Sequence, residues 1–137
     1  MTNEKKYKVI DHPSDIGIEA FGKDKKELFE NSAYGMMDMM FELSGVKKEM
    51  SFDVKVTGND QGSLLVSWLS ELLYLSDANH AALSDFKVTR MSDTELEAKV
   101  YGGKIGKVKR FIKAATYNQL EIKKEKGSWK SRIVFDV

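Results

Sequence analysis

Apolar residues recur every three or four positions in two stretches of the chain, and this spacing predicts two amphipathic helices. The first helix is predicted over residues 25–43, with Asp24 as its N-cap and Glu27 completing a capping box. The second is predicted to begin at Asp60 or Ser63. Their apolar positions are Leu28, Phe29, Ala33, Met36, Met37, Met40 and Phe41 in the first helix and Leu64, Leu65, Trp68, Leu69, Leu72, Leu73 and Leu75 in the second. We expect both apolar faces, including the methionine stripe, to pack in the core.

Alternation of apolar and polar residues predicts β-strands around these helices. The predicted strands cover residues 7–11, 15–21, 52–56, 86–88, 96–100, 114–122 and 129–137. The segment 102–107, rich in glycine and lysine, lacks the spacing of a phosphate-binding loop and predicts a mobile hairpin connection. Together these elements predict an α+β fold in which the two helices pack on a mixed, mostly antiparallel β-sheet. We expect a single domain over residues 1–137.

Polar chemistry is concentrated in the segment Asp11–Asp15, between the first two predicted strands. It contains two carboxylates, an imidazole and the only proline of the chain. Such a cluster contributes little to a hydrophobic core, so it predicts part of a metal or phosphate site that needs a further oxygen ligand from elsewhere. Asp15 is predicted on the face opposite the apolar residues of its strand, and Asp136 is predicted on the face opposite Ile133 and Phe135.

The composition of the chain excludes several kinds of site and location. The chain has no cysteine, which excludes disulfides and thiolate metal sites. Neither a signal peptide nor a membrane-spanning segment is visible in the sequence, and a cytoplasmic location is expected. The net charge of residues 1–100 is −6 and that of residues 101–137 is +7. This asymmetry predicts a basic face, which can bind phosphate groups or an acidic protein.

The order of several segments resembles the archease family, small proteins that assist the GTP-dependent RNA ligase of tRNA splicing. The matching segments are Asp11-His12, Asp15-Ile16-Gly17, the methionine-rich first helix, residues 64–74, Lys113-Ala114-Ala115-Thr116-Tyr117 and Phe135-Asp136-Val137. They span nearly the whole chain. The sequence departs from the family at Pro13-Ser14, where Thr-Ala is frequent, and at Asn118, where histidine is frequent, so no role of a histidine carries over to position 118.

The resemblance implies a divalent metal site, occupied by calcium in crystals of the family. Carried over to this sequence, its ligands are Asp15, Asp136 and a backbone or terminal oxygen of Val137. Asp11 and His12 are implied as additional ligands or as groups that orient a ligand. Oxygen ligands suit Ca²⁺, Mg²⁺ or Mn²⁺ better than Zn²⁺.

The resemblance also implies an accessory role, in which the protein is not an enzyme by itself. It would promote guanylylation of the ligase and multiple turnover in tRNA splicing, and it would meet tRNA indirectly, through the ligase. The densest basic segment contains Lys109, Arg110 and Lys113, which we expect to contact phosphate or the partner protein.

Two other classes of function remain open on the sequence. One is an RNA-binding or chaperone-like module that acts through the basic C-terminal third, although no signature of stacked aromatic residues is visible. The other is a metal-dependent hydrolase built on Asp11, His12, Asp15 and Asp136, although no nucleophile or general base is evident beside them.

Overall fold

Both helices lie in the first 80 residues, and five consecutive strands follow the second helix. The computed structural model describes residues 6–11 and 15–137, and over these residues it contains two helices and eight strands. In chain order they are β1 (Tyr7–Asp11), β2 (Ile16–Gly22), α1 (Lys25–Met40), β3 (Met50–Thr57), α2 (Gln61–Asn79), β4 (Ala81–Met91), β5 (Glu95–Lys104), β6 (Ala114–Ala115), β7 (Glu121–Glu125) and β8 (Ser128–Asp136).

The strands form two sheets. The first has the order β1-β2-β8-β6, with β7 also pairing with β8, and the second has the order β3-β5-β4. Every strand pairing between described residues is antiparallel. The predicted fold class, two helices packed on mostly antiparallel β-structure, is confirmed, and the β-structure is divided into two sheets. The last strand, β8, lies inside the first sheet, with β2 on one side and β6 and β7 on the other.

Both helices contribute their apolar faces to one core shared with the two sheets, as predicted. The methionine stripe of α1 is buried there, including Met36 and Met37. The indole Nε1–H of Trp68 donates to the carbonyl oxygen of Phe29 at 2.9 Å, which joins α2 to α1. The hydroxyls of Ser32 and Ser131 lie 2.9 Å apart and join α1 to β8. These buried contacts fix the helices against the sheet that carries the chain's terminal strands.

The helix ends largely follow the predicted capping. The Asp24 carboxylate accepts from the backbone N–H of Glu27 at 2.8 Å, but the Glu27 side chain accepts from the N–H of Lys23, also at 2.8 Å, so the predicted capping box is not closed on Asp24 itself. Helix α1 ends at Met40, three residues before the predicted end, because Phe41 is extended and bridges Val108.

Helix α2 begins with a closed capping box formed by Asp60 and Ser63. Asp60 is the N-cap of α2, and its carboxylate accepts from the backbone N–H of Ser63 at 2.8 Å. At the other end His80, which is exposed, closes α2 in the left-handed conformation, with φ of 51°.

Two predictions about strands were wrong. Gly102 and Gly103 lie inside β5 and are buried, so they are not part of a mobile connection. A β-carbon at Gly103 would overlap the carbonyl oxygen of Lys47, so the glycine allows close backbone approach rather than flexibility. The strand predicted over residues 114–122 is split into β6 and β7 by a turn in which Gln119 has a φ of 56°.

No helix in the described part of the chain is long and apolar enough to cross a membrane.

Candidate functional site

Two carboxylates from opposite ends of the chain meet at one edge of the first sheet. In the pairing of β2 with β8, the last paired residues are Ile16 and Phe135. Asp15 and Asp136 are each one position beyond this pair, and in an antiparallel register they therefore lie opposite one another. The Cα atoms of directly opposed residues are about 4.5–5.5 Å apart. We call Asp15, Asp136 and Val137 the acidic edge.

The two carboxylates also share a face of the sheet. Residues on the core side of the register include the pair Ile18 and Ile133, both fully buried. By alternation, Asp15 and Asp136 lie on the other side, as predicted from the sequence. Asp15 is half-buried, whereas Asp136 is exposed and Val137 is 51% exposed. The acidic edge is therefore open to a second molecule.

Lys113 lies next to this edge from the other side of β8. Its backbone N–H donates to the carbonyl oxygen of Asp136 at 2.7 Å, and the following residue, Ala114, pairs with Asp136 in β6. Thr116 then donates its N–H and its hydroxyl to the carbonyl oxygen of Val134, at 3.0 and 2.8 Å. These bonds fix the backbone of the exposed Lys113 beside Asp136, at the point where the chain enters β6.

The acidic edge contains the two carboxylates that are predicted to hold a metal ion. Among the described residues, no group of three or more His, Cys, Asp or Glu side chains is arranged to hold a metal ion. Asp15 and Asp136 supply two carboxylates, and like charges placed directly opposite on neighbouring strands destabilise the pair. A bound divalent cation would relieve that repulsion, and oxygen donors suit Ca²⁺, Mg²⁺ or Mn²⁺. The donor chemistry fits such an ion, and their role as ligands stays a prediction.

The remaining predicted ligands come from the end of β1. Asp11 ends that strand, and its backbone pairs with Ile16, the residue after Asp15. β1 therefore ends at the same edge of the sheet at which β2 begins. The predictions for the Asp11 side chain and for His12 lie outside the described residues.

The other two predicted basic residues, Lys109 and Arg110, are in a segment that crosses from β5 to β6, residues 105–113, which we call the strap. The backbone N–H groups of Lys109 and Arg110 both donate to the carbonyl oxygen of Met40, at 2.7 and 3.3 Å. The strap thus satisfies a carbonyl group at the C-terminal end of α1, which would otherwise lack a partner. Lys109 also lies 3.9 Å from the carboxylate of Asp38.

Sequence reasoning missed a groove between the strap and the C-terminal half of α2. Its volume is about 500 Å³. Tyr74 of α2 and Phe111 of the strap line it and are 64% and 65% exposed. Arg110 and Lys113 also line it, so the groove reaches the acidic edge at Lys113. The apolar residues interspersed in the basic strap were the available signal, but their proximity to α2 depends on tertiary structure.

A further charged group lies on the outer face of the first sheet. Glu19 is only 5% exposed because cationic side chains cover it: Arg132 at 2.9 Å, Lys8 at 3.4 Å and Lys130 at 3.7 Å. Burial opposes ionisation of Glu19, but the hydrogen bond from Arg132 and the charges of the lysines outweigh it, so the pKa of Glu19 lies below its usual value. This cluster joins β1, β2 and β8, which carry the acidic edge.

Burial and the Asp38 carboxylate raise the pKa of Tyr7. The Tyr7 hydroxyl donates to Asp38 at 2.7 Å and joins β1 to α1. This phenol therefore stays protonated at neutral pH and serves as a hydrogen-bond donor.

Comparison with known proteins agrees with this architecture. The sequence profile of the archease protein family matches residues 7–137. The archease of Methanosarcina mazei is 36% identical over 141 residues, which cover 97% of each chain. The solution structure of protein 1598 of Methanobacterium thermoautotrophicum has a TM-score of 0.82 and 30% identity, covering 98% of this chain and all of that one. The crystal structure of a Thermotoga maritima archease, called a possible chaperone, has a TM-score of 0.63 at 23% identity, covering 95% and 96% of the two chains.

Proposed function

The chain belongs to the archease protein family, and from this premise we propose that it is an accessory protein of the GTP-dependent RNA ligase of tRNA splicing. It would promote guanylylation of the ligase and repeated turnover on tRNA halves, and it would be brought to tRNA through the ligase. The observation that carries this proposal is the β2–β8 register, which places Asp15 opposite Asp136 at an exposed edge. An open pair of carboxylates suits presentation to the active site of another protein.

In this proposal Asp15, Asp136 and an oxygen of Val137 would hold a divalent cation, Ca²⁺, Mg²⁺ or Mn²⁺. When bound, such an ion supplies a positive centre that orients phosphate oxygens. The chain's own groups have separate tasks. The two carboxylates fix the ion's position relative to the sheet, and Lys113, held against the Asp136 backbone at 2.7 Å, is placed to contact a phosphate or the partner protein.

The contribution to catalysis would be one of positioning. Groups held in the right geometry can lower a barrier substantially without taking part in bond formation. The buried contact between Ser131 and Ser32 anchors β8, the strand that ends at the acidic edge, against α1. An acidic edge anchored in this way would bring an ion or the nucleotide of the ligase into position for attack by the ligase's own nucleophile.

The test is a guanylylation assay with purified ligase from the same organism, GTP and Mn²⁺, with and without this protein. We expect wild-type protein to accelerate formation of the ligase–GMP adduct and to allow multiple turnover on tRNA halves. Asp15→Asn and Asp136→Asn should each lose this stimulation, because each removes one charge from the acidic edge while keeping its shape. Glu95→Gln is the matched control, since Glu95 is an exposed carboxylate at the start of β5, in the other sheet.

Circular dichroism and thermal unfolding show whether each variant is folded. If wild-type protein leaves adduct formation and turnover unchanged, the proposal fails. If the two aspartate variants stimulate as well as Glu95→Gln, the accessory role does not depend on the acidic edge.

A further inference from the structure

The groove between the strap and α2 contains two aromatic side chains that the core does not use. Phe111 and Tyr74 are 65% and 64% exposed, whereas Phe29 and Trp68 are fully buried. Neither exposed ring is among the aromatic pairs formed within the described part of the chain, so their faces are free to stack on a ligand. They come from different elements but line the same groove. Aromatic rings presented in this way are typical of stacking sites for nucleobases.

The groove is also positively charged along the strap side. Residues 104–113 contain five cationic residues and no acidic residue. Two of the five, Arg110 and Lys113, line the groove, and neither makes an ion pair with a described residue. Unpaired cations beside an open groove attract phosphate groups.

The opposite wall, formed by described residues of α2, contributes one acidic residue and no lysine or arginine. Asp77 lines the groove near the C-terminal end of α2, where the helix dipole is also negative. A strand of nucleotides would therefore place its phosphates along the strap, near Arg110 and Lys113, and its bases over the aromatic rings. An acidic peptide would satisfy the two cations but would make little use of the exposed faces of Tyr74 and Phe111.

We propose that this groove binds a short segment of single-stranded nucleic acid, with bases stacked on Tyr74 and Phe111 and phosphates held by Arg110 and Lys113. Because Lys113 is bonded through its backbone to Asp136, a strand in the groove would end beside the acidic edge. The inference does not depend on the ligase, since it concerns binding by the isolated protein. It also differs from a diffuse basic surface, because it names a groove with two stacking residues.

Fluorescence anisotropy with a labelled, unstructured oligoribonucleotide of about 12 nucleotides tests this directly. We expect Tyr74→Leu and Phe111→Leu each to weaken binding by about fivefold or more, because each removes a stacking face. Tyr117→Leu is the matched control: Tyr117 is 60% exposed but lines a different cavity, beside Leu120. The control variant should bind like the wild type.

A salt titration tests the cations separately. For a single strand, the slope of log K against log salt concentration changes by about 0.7 for each phosphate that the protein no longer neutralises. Arg110→Gln should reduce the slope by about this amount, and so should Lys113→Gln. Lys124→Gln, which removes an exposed cation from β7, should leave the slope unchanged.

Two outcomes would overturn the proposal. The first is that Tyr117→Leu and Lys124→Gln reduce affinity as much as the groove variants, which would indicate diffuse electrostatic binding. The second is that the wild-type protein binds no oligonucleotide at low salt; if Phe111→Leu then weakens association with a protein partner, the groove is a protein-docking site. All the substituted residues are exposed, and thermal unfolding checks that each variant keeps its fold.

Discussion

Removal of one carboxylate from the acidic edge should have opposite effects on stability with and without a divalent metal ion. Asp15 and Asp136 lie one position beyond the pair Ile16 and Phe135, so their Cα atoms are about 4.5–5.5 Å apart, and we take about 5.5 Å as the separation of their charges. The repulsion between two unit charges at that distance is about 0.8 kcal/mol at the dielectric constant of water and about 3 kcal/mol at an effective value of 20. Because Asp136 is exposed, the lower figure applies more closely, and we take about 1 kcal/mol.

In a chelator, Asp136→Asn should therefore be more stable than the wild type by about 1 kcal/mol, or about 4 °C in melting temperature for a chain of this length. In Ca²⁺ at one hundred times its dissociation constant, the wild type should gain about 2.7 kcal/mol, because the ion binds only the folded state. The variant should gain much less. The order of stability of the two proteins should thus reverse.

Differential scanning calorimetry in EDTA and in a Ca²⁺ series measures the stability without the ion and the stabilisation that the ion provides. Asp15→Asn should behave like Asp136→Asn, and Glu95→Gln should follow the wild type under both conditions. If Ca²⁺ stabilises all four proteins equally, the ion does not bind at the acidic edge. If the aspartate variants are less stable than the wild type in EDTA, the two carboxylates do not repel one another as the register implies.

Three further predictions concern the scaffold of the site. Glu19→Gln should lower the free energy of unfolding by about 1–2 kcal/mol at neutral pH, because it weakens the hydrogen bond from Arg132 and leaves three partly exposed cations without their counter-charge; denaturant titration measures this. The pKa of Glu19 is lower in the folded state than in the unfolded state. Its contribution to the free energy of unfolding is therefore complete above its ordinary pKa, about 4.3, and is lost as the pH falls through the folded-state pKa. The difference in stability between the wild type and Glu19→Gln should consequently disappear in acid. Gly103→Ala should cost at least about 1–3 kcal/mol, because its β-carbon would overlap the Lys47 carbonyl oxygen; a loss within 0.5 kcal/mol would contradict the packing of β5. Asp60→Ala should cost about 1 kcal/mol by removing the N-cap of α2, measured by thermal unfolding.

Local patterns predicted the elements whose causes are local. The 3.6-residue period identified both helices. Asp24 was found as a cap, and Asp60 was one of two candidates for the other, because a capping side chain bonds to a residue only three positions away. The end of α1 was misplaced because Phe41 pairs with Val108, which is far away in sequence. Gly102 and Gly103 were misinterpreted because the sequence does not distinguish a glycine that allows close backbone approach from a glycine that permits a turn.

In the candidate site, too, the features with local causes were predicted and those that depend on tertiary structure were not. Strand alternation placed Asp15 and Asp136 on outward faces, but only the register of β2 with β8 brings them opposite one another. Their role as metal ligands came from the family resemblance and stays a prediction. The groove was missed because Tyr74 and Phe111 come from elements that touch only in the folded protein. The cations around Phe111 were a signal in the sequence, but nothing in the neighbourhood of Tyr74 distinguishes it from the apolar face of α2 that packs in the core.

The pairing of β2 with β8 also bears on when the acidic edge can exist during folding. Glu19 and Arg132, which face each other across these strands, are 113 positions apart in the chain. Closing a loop of that length is entropically costly and slow, so we expect these strands to pair after the local hairpins and helices have formed. A chain whose last strand has not docked would have both aspartates but no acidic edge. The exposed carboxylate pair would therefore also mark a completed fold, and a partner that recognises it would bind only finished molecules.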